Sequence, residues 1–454
     1  MSGYELKNSG IEWLGDIPTH WRDVKLKKLI KLIPSNVDKR TEDDEAPVLL
    51  CNYVDVYYND EIDNSINFME ATANDNELKK FQLKEGDVVI TKDSEDPNDI
   101  AVPAFIKQTQ ENLLCGYHLS ILRKNDVRID SKYLFWALKD ASIISQLHRE
   151  ANGITRWAIS TKHVKNSIIP LPPLTEQKAI ADYLDKACQK IDRIIELKEK
   201  QVEGIEKFYK SRLLEIITGN DQEDVELANS DNHVIGEVPE NWKIVRLKHV
   251  LSKINSGVTP SGGATSYVDE GIPLLRSQNI KFEKLHLKNV VHIPLEVHHK
   301  MSNSKLEYGD VLLNITGASL GRCNYFKEEF QANVNQHVCI LRPRFPILTE
   351  YLYYVLMSEI GQAQIFSGFK GSGREGLNFE AVKNFKIPLP DIETQNIIIK
   401  RLNSLSKRIQ DQKSLIRKQC DNLKSYRKSL IHECVTGKKK VYEESSNTGR
   451  AVAV

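Results

Sequence analysis

Between residues 175 and 218, apolar side chains recur at spacings of mostly three, four or seven: Leu184, Ala187, Ile191, Ile195, Val202, Ile205 and Phe208. Lys, Glu and Gln fill the positions between them. That period is that of an amphipathic helix. Pro170, Pro172 and Pro173 stand before it and cannot continue a helix, so the helix is predicted to begin at Thr175 as N-cap and to stop at Gly219. About 44 residues at 1.5 Å each give a rod of roughly 65 Å. A second stripe, Leu402, Leu405, Ile409, Ile416, Leu423 and Tyr426, runs up to Gly437. One small domain cannot cover helices of this length. They are predicted to pair antiparallel, with Leu184, Ile191, Ile195, Val202 and Ile205 on one side of the seam and Leu402, Ile409, Ile416 and Leu423 on the other.

The remaining segments are mixed. Short β-rich runs, "DVVIT" (87–91), "LSILR" (119–123), "GDVLLNI" (309–315) and "HVCILRP" (337–343), lie between clusters of Gly, Asn, Asp and Pro. Helical patterns occupy residues 131–148 and 349–366. The fold class this predicts is α/β, with long loops.

These elements occur twice. "IPTHWRDVKLKKLI" (17–30) is answered by "VPENWKIVRLKHVL" (238–251), "LKEGDVVI" (83–90) by "LEYGDVLL" (306–313), and "YLFWALKD" (133–140) by "YLYYVLMS" (351–358). "IIPLPPLTEQKAIADYLDK" (168–186) is answered by "KIPLPDIETQNIIIKRLNS" (386–404), and Thr218-Gly219 by Thr436-Gly437. The chain is two copies of one unit at a separation of about 220 residues. The predicted domains are residues 1–168, a helix at 169–219, residues 220–386, a second helix at 387–437, and a disordered tail at 438–454.

Composition narrows the class. With 454 residues, 28% charged and 40% hydrophobic, the chain reads as a multidomain globular protein. No apolar run reaches the roughly 20 residues of a membrane span, and the first residues lack the pattern of a signal peptide, so a cytoplasmic location is expected. Seven scattered cysteines without a C-x-x-C pair predict neither disulfides nor zinc, only buried thiols. A net charge of +1 does not by itself indicate a polyanion partner, and "TEDDEAP" (41–47) is locally acidic.

The loops of the second copy carry the candidate chemistry. "NSGVTPSGGATSY" (255–267) and "ITGASLGR" (315–322) are rich in Gly, Ser and Thr and stand near Arg276, Gln278, Asn279 and Arg322. Such loops bring backbone amides and hydroxyls to phosphate and leave Arg, Asn and Gln to read base edges. The candidate DNA contacts are these four with Ser261, Thr265, Thr316 and Arg374, and Lys92 and Arg156 in the first copy. Trp21 and Trp242, at matching places, are read as core anchors rather than base-stacking rings. "KLKKLIK" (25–31) and "KKK" (438–440) are read as solvated charge.

Catalytic motifs are weak. "FKGSG" (369–373) has the letters of an S-adenosylmethionine loop, but it follows a helical pattern, and the Asn/Asp-Pro-Pro-Tyr/Phe partner motif does not occur. "GSGREG" (371–376) lacks the Gly-Lys-Ser/Thr of a phosphate loop. Pro390-Asp391 is not followed by a Glu-x-Lys. His118 and His337 fall at matching places, each in a β-like run without a partner acid or Cys, and are read as structural.

The opener "SGIEWLGDIPTHW" (9–21), the phrase "IPLPPLTEQKAIADYLD" (169–185), the long helix ending in Thr-Gly and the second copy of all this closely resemble the specificity subunit of Type I restriction-modification systems, over nearly the full chain. The resemblance implies two target recognition domains in tandem pseudo-two-fold repeat, separated by two long antiparallel coiled-coil helices. It also implies a non-catalytic, nucleoid-associated prokaryotic protein that binds double-stranded DNA at a bipartite, asymmetric site. Two methyltransferase (modification) subunits and the restriction subunits are the implied partners. S-adenosylmethionine, ATP and Mg2+ would belong to those partners and no cofactor or metal to this chain. The alternative is a stand-alone DNA methyltransferase or nuclease whose active site the sequence does not display.

Overall fold

The computed structural model describes residues 4–222, 225–369 and 376–441. They form two compact units, Met1–Lys198 with Lys418–Val454, and Glu199–Arg417. Each unit holds one globular domain and a segment of both long helices, which span Leu174–Thr218 and Ile392–Val435.

In the first unit, a five-stranded sheet runs in the order Ile30–Pro34, Leu119–Lys124, Val88–Thr91, Pro103–Ile106, Glu61–Ile62. Neighbours are antiparallel except the last pair, which is parallel. A three-stranded sheet, Leu113–Cys115, Ala46–Cys51, Met69–Ala73, packs with it around Leu50, Phe81, Val89, Leu114 and Ile121. In the second unit the corresponding order is Leu251–Ser256, Val338–Pro343, Val311–Asn314, Cys323–Tyr325, beside a three-stranded sheet of Val291–Ile293, Ile272–Leu275 and Asn333–Val334. These two pairs of sheets correspond strand for strand except that the first unit carries an extra edge strand; among the described residues the first unit alone also has a small sheet of Asn152–Gly153, Trp157–Ala158 and Asp93–Ser94. All four β-rich runs read from the sequence are strands. The two helical patterns each divide in two, after Lys139 and after Met357, because Asp140 caps a new helix with bonds to the Ser142 and Ile143 amides, and Ser358 stands at the matching break.

The repeated letters have identifiable duties. Asp87 and Asp310, the Asp of each "GD", are buried and take bidentate bonds from Arg123 (2.8 and 2.6 Å) and Arg342 (2.7 and 2.9 Å). Tyr133 and Tyr351, fully buried, donate to the carbonyls of Pro170 and Pro388 at 2.9 Å in both units. These prolines lie in two-stranded ribbons, Arg22–Lys25 with Ile168–Leu171 and Lys243–Arg246 with Lys386–Leu389.

The Gln of the repeated phrase is the lock between ribbon, helix and domain. Gln177 accepts from the Asp130 amide (2.8 Å) and donates to the Arg128 (2.7 Å) and Pro172 (2.8 Å) carbonyls. Gln395 accepts from Leu348 and donates to Pro346 and Pro390, each at 2.9 Å. Both side chains are wholly buried, and in each all but one hydrogen-bonding site is used. The first helix begins at Leu174, one residue before the expected Thr175 cap, with the Pro173 carbonyl accepting the Gln177 amide (3.0 Å). The second has a side-chain cap, Asp391 accepting from the Thr394 amide at 2.8 Å.

Within each unit the helix segments run antiparallel. In the first, Asp192 meets Arg427 and Lys198 meets Gln419; in the second, Glu206 meets Lys413. Leu184, Ile191, Ile195, Leu402, Ile409 and Ile416 are buried, while Val202, Ile205 and Leu423 are half-buried. Phe208 and Tyr426, expected on the stripe, are each 54% exposed. One residue along a helix is a rotation of about 100°, and here the half-buried positions are Tyr209 and Arg427 instead. Both helices end at a glycine of positive φ, Gly219 at 75° and Gly437 at 74°. An added Cβ would fall 2.7 Å from Pro239 and 2.4 Å from Pro18, respectively, so the Thr-Gly stop is also a packing requirement. Trp21 and Trp242 are core residues as expected, and Trp21 donates to Glu176 at 3.0 Å.

Arg427 fixes the helix pair to the first domain through Asp60 (2.6 Å) and Asp192 (3.1 Å), beside Lys139, which also pairs with Asp60. Burial works against the Asp60 charge, but Lys139 and then Arg427 outweigh it and hold its carboxyl below the usual value. A depressed folded-state pKa stabilises above the unfolded value near 4 and ceases to do so as pH falls through the folded value. Arg427→Ala should therefore lower stability by about 1–3 kcal/mol at neutral pH, discounted because Asp60 is partly exposed. It should also raise the pH at which acid unfolding of the first unit begins. Chemical denaturation between about pH 3 and 7 checks both.

Candidate nucleic-acid interface

In each domain one end of the main sheet gathers the loops that carry candidate chemistry. In the second unit the strand Val311–Asn314 leads into Ile315 and Thr316, and the neighbouring strand is entered through Asn335, Gln336 and His337. The Ile315 amide donates to the His337 carbonyl (3.1 Å), and the Thr316 hydroxyl lies 2.7 Å from His337 Nδ1. Gln336 Nε2 stands 3.2 Å from His337 Nε2, and the Thr259 hydroxyl donates to Gln336 Oε1. That last bond brings in the loop at 255–267. Gly257 lets it approach: a Cβ there would sit 1.8 Å from the Val334 carbonyl oxygen. From the other side, Gly376 fits against Thr316, and the Leu377 amide donates to the Ile315 carbonyl at 2.8 Å.

The first unit has the same arrangement with other side chains. The Lys92 amide donates to the His118 carbonyl (2.9 Å), and His118 Nδ1 lies 2.5 Å from Asp93 Oδ1. Arg156 Nε donates to the same Asp93 oxygen at 2.6 Å, and its Nη2 lies 2.9 Å from Nδ1 and 3.2 Å from Nε2 of His118. A carboxylate only accepts, so the Nδ1 proton points to Asp93 and Nε2 is the acceptor left for Arg156. Burial lowers the His118 pKa against the pull of Asp93, with Arg156 adding to the lowering, which favours this neutral form. The Tyr117 ring lies 3.6 Å from that of His118. The Ile159 amide donates to Lys92 O at 3.0 Å, as Leu377 does to Ile315.

Of the residues singled out from sequence, Thr316 belongs to this cluster in the second unit and Arg156 in the first. Arg276 and Gln278 stand on the adjoining turn, tied to the strand end by Asn314 Nδ2 donating to the Ser277 carbonyl (2.8 Å). Arg276 Nε and Asn314 Oδ1 are buried there without a protein partner. Gln278 and Ser261 are exposed and Arg322 is half-buried. Thr265 closes its own loop by donating to the Gly262 carbonyl (2.9 Å). Two expectations change. Asn279 is buried and structural, accepting from the Arg276 amide (2.9 Å) and donating to the His286 carbonyl (2.8 Å). Lys92 is half-buried and donates to the Ser35 carbonyl at 2.7 Å, and burial lowers its pKa. Arg374, and most of the "FKGSG" and "GSGREG" stretches, lie outside the described residues.

His118 is corrected too: it has an acid partner, Asp93, from 25 residues upstream, whereas His337 meets Thr316 and Gln336. Gln336 carries no signal of its own in the sequence, and Thr259 only that of the loop at 255–267. The signal nearest to Gln336 is the pair of histidines at matching places.

Among the described residues no cluster of His, Cys, Asp and Glu could hold a metal ion, and no helix is long and apolar enough to cross a membrane. All seven cysteines are buried and free.

Residues 18–207 and 239–418 match the family model described as the Type I restriction modification DNA specificity domain. The Type I restriction enzyme MjaVIII specificity subunit of Methanocaldococcus jannaschii is 25% identical over 432 residues, 94% of each chain. The EcoBI specificity subunit of Escherichia coli is 26% identical over 304 residues, 65% of this chain and 63% of that one. A chain solved in work on complex assembly and conformational transition of the type I R-M system superposes with a TM-score of 0.70 at 18% identity, over 93% of this chain and 99% of that one, a likeness of fold.

Proposed function

The chain belongs to the Type I restriction modification DNA specificity domain family, and we propose that it is the DNA-reading subunit of such a complex. Each globular domain reads one half of a bipartite site in double-stranded DNA. The long helices act as the spacer and, with the ribbons, as the seat of two modification subunits. Methyl transfer from S-adenosylmethionine belongs to those partners, and ATP- and Mg2+-dependent restriction to restriction subunits.

The observation that carries this reading is a contrast within the chain. Residues that hold the fold are the same in both copies: Asp87 and Asp310, Arg123 and Arg342, Tyr133 and Tyr351, Gln177 and Gln395. Residues around the two matched histidines differ: Asp93 and Arg156 in one, Thr316 and Gln336 in the other. A repeated scaffold suits two identical partners, and different side chains at the sheet ends suit two unlike half-sites. Exposed apolar residues on the helices, Ile194 and Leu197 in one unit and Phe208 and Leu415 in the other, further support a docking role.

The test is co-expression with a modification subunit in a host lacking its own adenine methylation, followed by mapping of methylated adenines. One split motif with two unlike halves is expected, and none when the chain is omitted. Methyl transfer by the purified chain alone would overturn the reading.

A further inference from the structure

We propose that Arg156 in the first unit and Gln336 in the second are the base-reading residues of their half-sites, Arg156 for a guanine and Gln336 for an adenine, each held in its reading pose by the histidine beside it. The proposal rests on the DNA-reading function above and adds which atoms discriminate.

The two sites share one plan. In each, an imidazole follows the same turn before a central strand, and its Nδ1 is bound by a residue just past the end of the neighbouring strand: Asp93 at 2.5 Å, Thr316 at 2.7 Å. In each, Nε2 lies 3.2 Å from a side-chain nitrogen, Gln336 Nε2 in one and, in the other, Arg156 Nη2, which also lies 2.9 Å from Nδ1 and so rests against the ring between its two nitrogens. Asp93 and His118 are 14% and 15% exposed, whereas Arg156 is 49% exposed, so the pair at the base is shielded and the guanidinium reaches outward. Gln336 is likewise exposed above a half-buried His337.

The donors and acceptors left over decide the base. Asp93 takes the Nε proton of Arg156 and His118 one proton of Nη2, which leaves the Nη1 protons and the second Nη2 proton as a planar donor fork. Guanine presents two acceptors, O6 and N7, to such a fork in the major groove. The Gln336 amide is oriented by the Thr259 hydroxyl, which donates to Oε1, and by His337 Nε2, which accepts from Nε2. One lone pair and one N–H remain. That acceptor and donor side by side match N6 and N7 of adenine. Fixing both side chains beforehand removes ordering that would otherwise oppose binding. Asp93, His118, Thr259 and His337 are positioning residues: they act on the base only through the arginine or the amide.

The competing explanation is that these contacts only fasten loops. A fastening role weakens every sequence alike, whereas a reading role changes which base is accepted at one position. The full chain, co-expressed with its modification subunit, is compared with Arg156→Ala, Arg156→Lys, Gln336→Ala, His118→Ala and His337→Ala by methylome mapping. Binding of each purified complex to duplexes carrying every single-base change is measured in parallel.

Arg156→Ala should lose about 10–100-fold of discrimination at one guanine of one half-site, with the other half unchanged, and Lys should restore only part. Gln336→Ala should do the same at one adenine of the other half. The histidine variants should blur the same two positions by a smaller factor. Equal loss across all duplexes, relaxation in both halves, a base other than those named, or unchanged discrimination would each overturn the proposal. Failure of the unaltered complex to methylate a split motif would instead sink the functional reading on which it rests.

Discussion

Asp310→Ala should destabilise the second unit by about 3–5 kcal/mol, a large part of the roughly 5–15 kcal/mol that holds a domain folded. The Asp310 side chain is wholly buried. It takes Arg342 Nε at 2.7 Å, Arg342 Nη2 at 2.9 Å and the Glu307 amide at 2.7 Å. Alanine removes all three acceptor contacts and leaves a guanidinium only 21% exposed, with Glu307, 65% exposed, as its remaining carboxylate neighbour. The cost is the desolvation of what is left behind rather than the strength of the pair itself. Replacing both partners, Asp310→Leu with Arg342→Met, should recover most of the loss, because two apolar side chains leave no charge stranded. Asp87→Ala should act on the first unit in the same way through Arg123. Urea unfolding of the full chain, followed by hydrogen exchange of strands Val311–Asn314 and Val88–Thr91, separates the two units. Equal protection of both strands in Asp310→Ala would contradict the expectation.

Exchange of residues 1–168 for the matching segment of a relative with a different target should change one half of the methylated motif and leave the other intact. The segment contains the Asp93, His118 and Arg156 cluster and the ribbon strand Arg22–Lys25, and ends at Ile168, where the ribbon strand that carries Pro-Leu-Pro begins. The graft must preserve what that ribbon joins: Tyr133 to the Pro170 carbonyl, and the Asp130 amide and Arg128 carbonyl to Gln177. Those contacts are made by letters repeated in both copies or by backbone, so they should survive the exchange. Specific and non-specific sites differ by about 10^3–10^7 in affinity, and half of that difference is enough to move methylation wholly to the new motif. Methylome mapping of the chimaera decides it. A motif altered in both halves would show that the domains do not read independently.

Much was legible in the sequence because it is written locally. Pro170, Pro172 and Pro173 exclude helix, the apolar period after them demands one, and Gly219 and Gly437 end it. Each signal acts within a few residues of where it is read. The repeat was legible for the same reason, since scaffold contacts such as Gln177 and Gln395 recur with their neighbours. What only the tertiary structure decided is which side chains meet across long separations. Phe208 and Tyr426 fit the stripe yet face outward, because packing, not periodicity, chooses between positions one residue apart. Arg427 is half-buried among Asp60, Asp192 and the Trp136 ring, a place no hydrophobic pattern would assign to an arginine. His118 looked solitary until the fold brought Asp93 and Arg156 to it from opposite directions along the chain. Hydrogen-bonded clusters of this kind carry no period and no fixed spacing. Their members are set by which loops a sheet brings to one end, and that is a property of the folded chain.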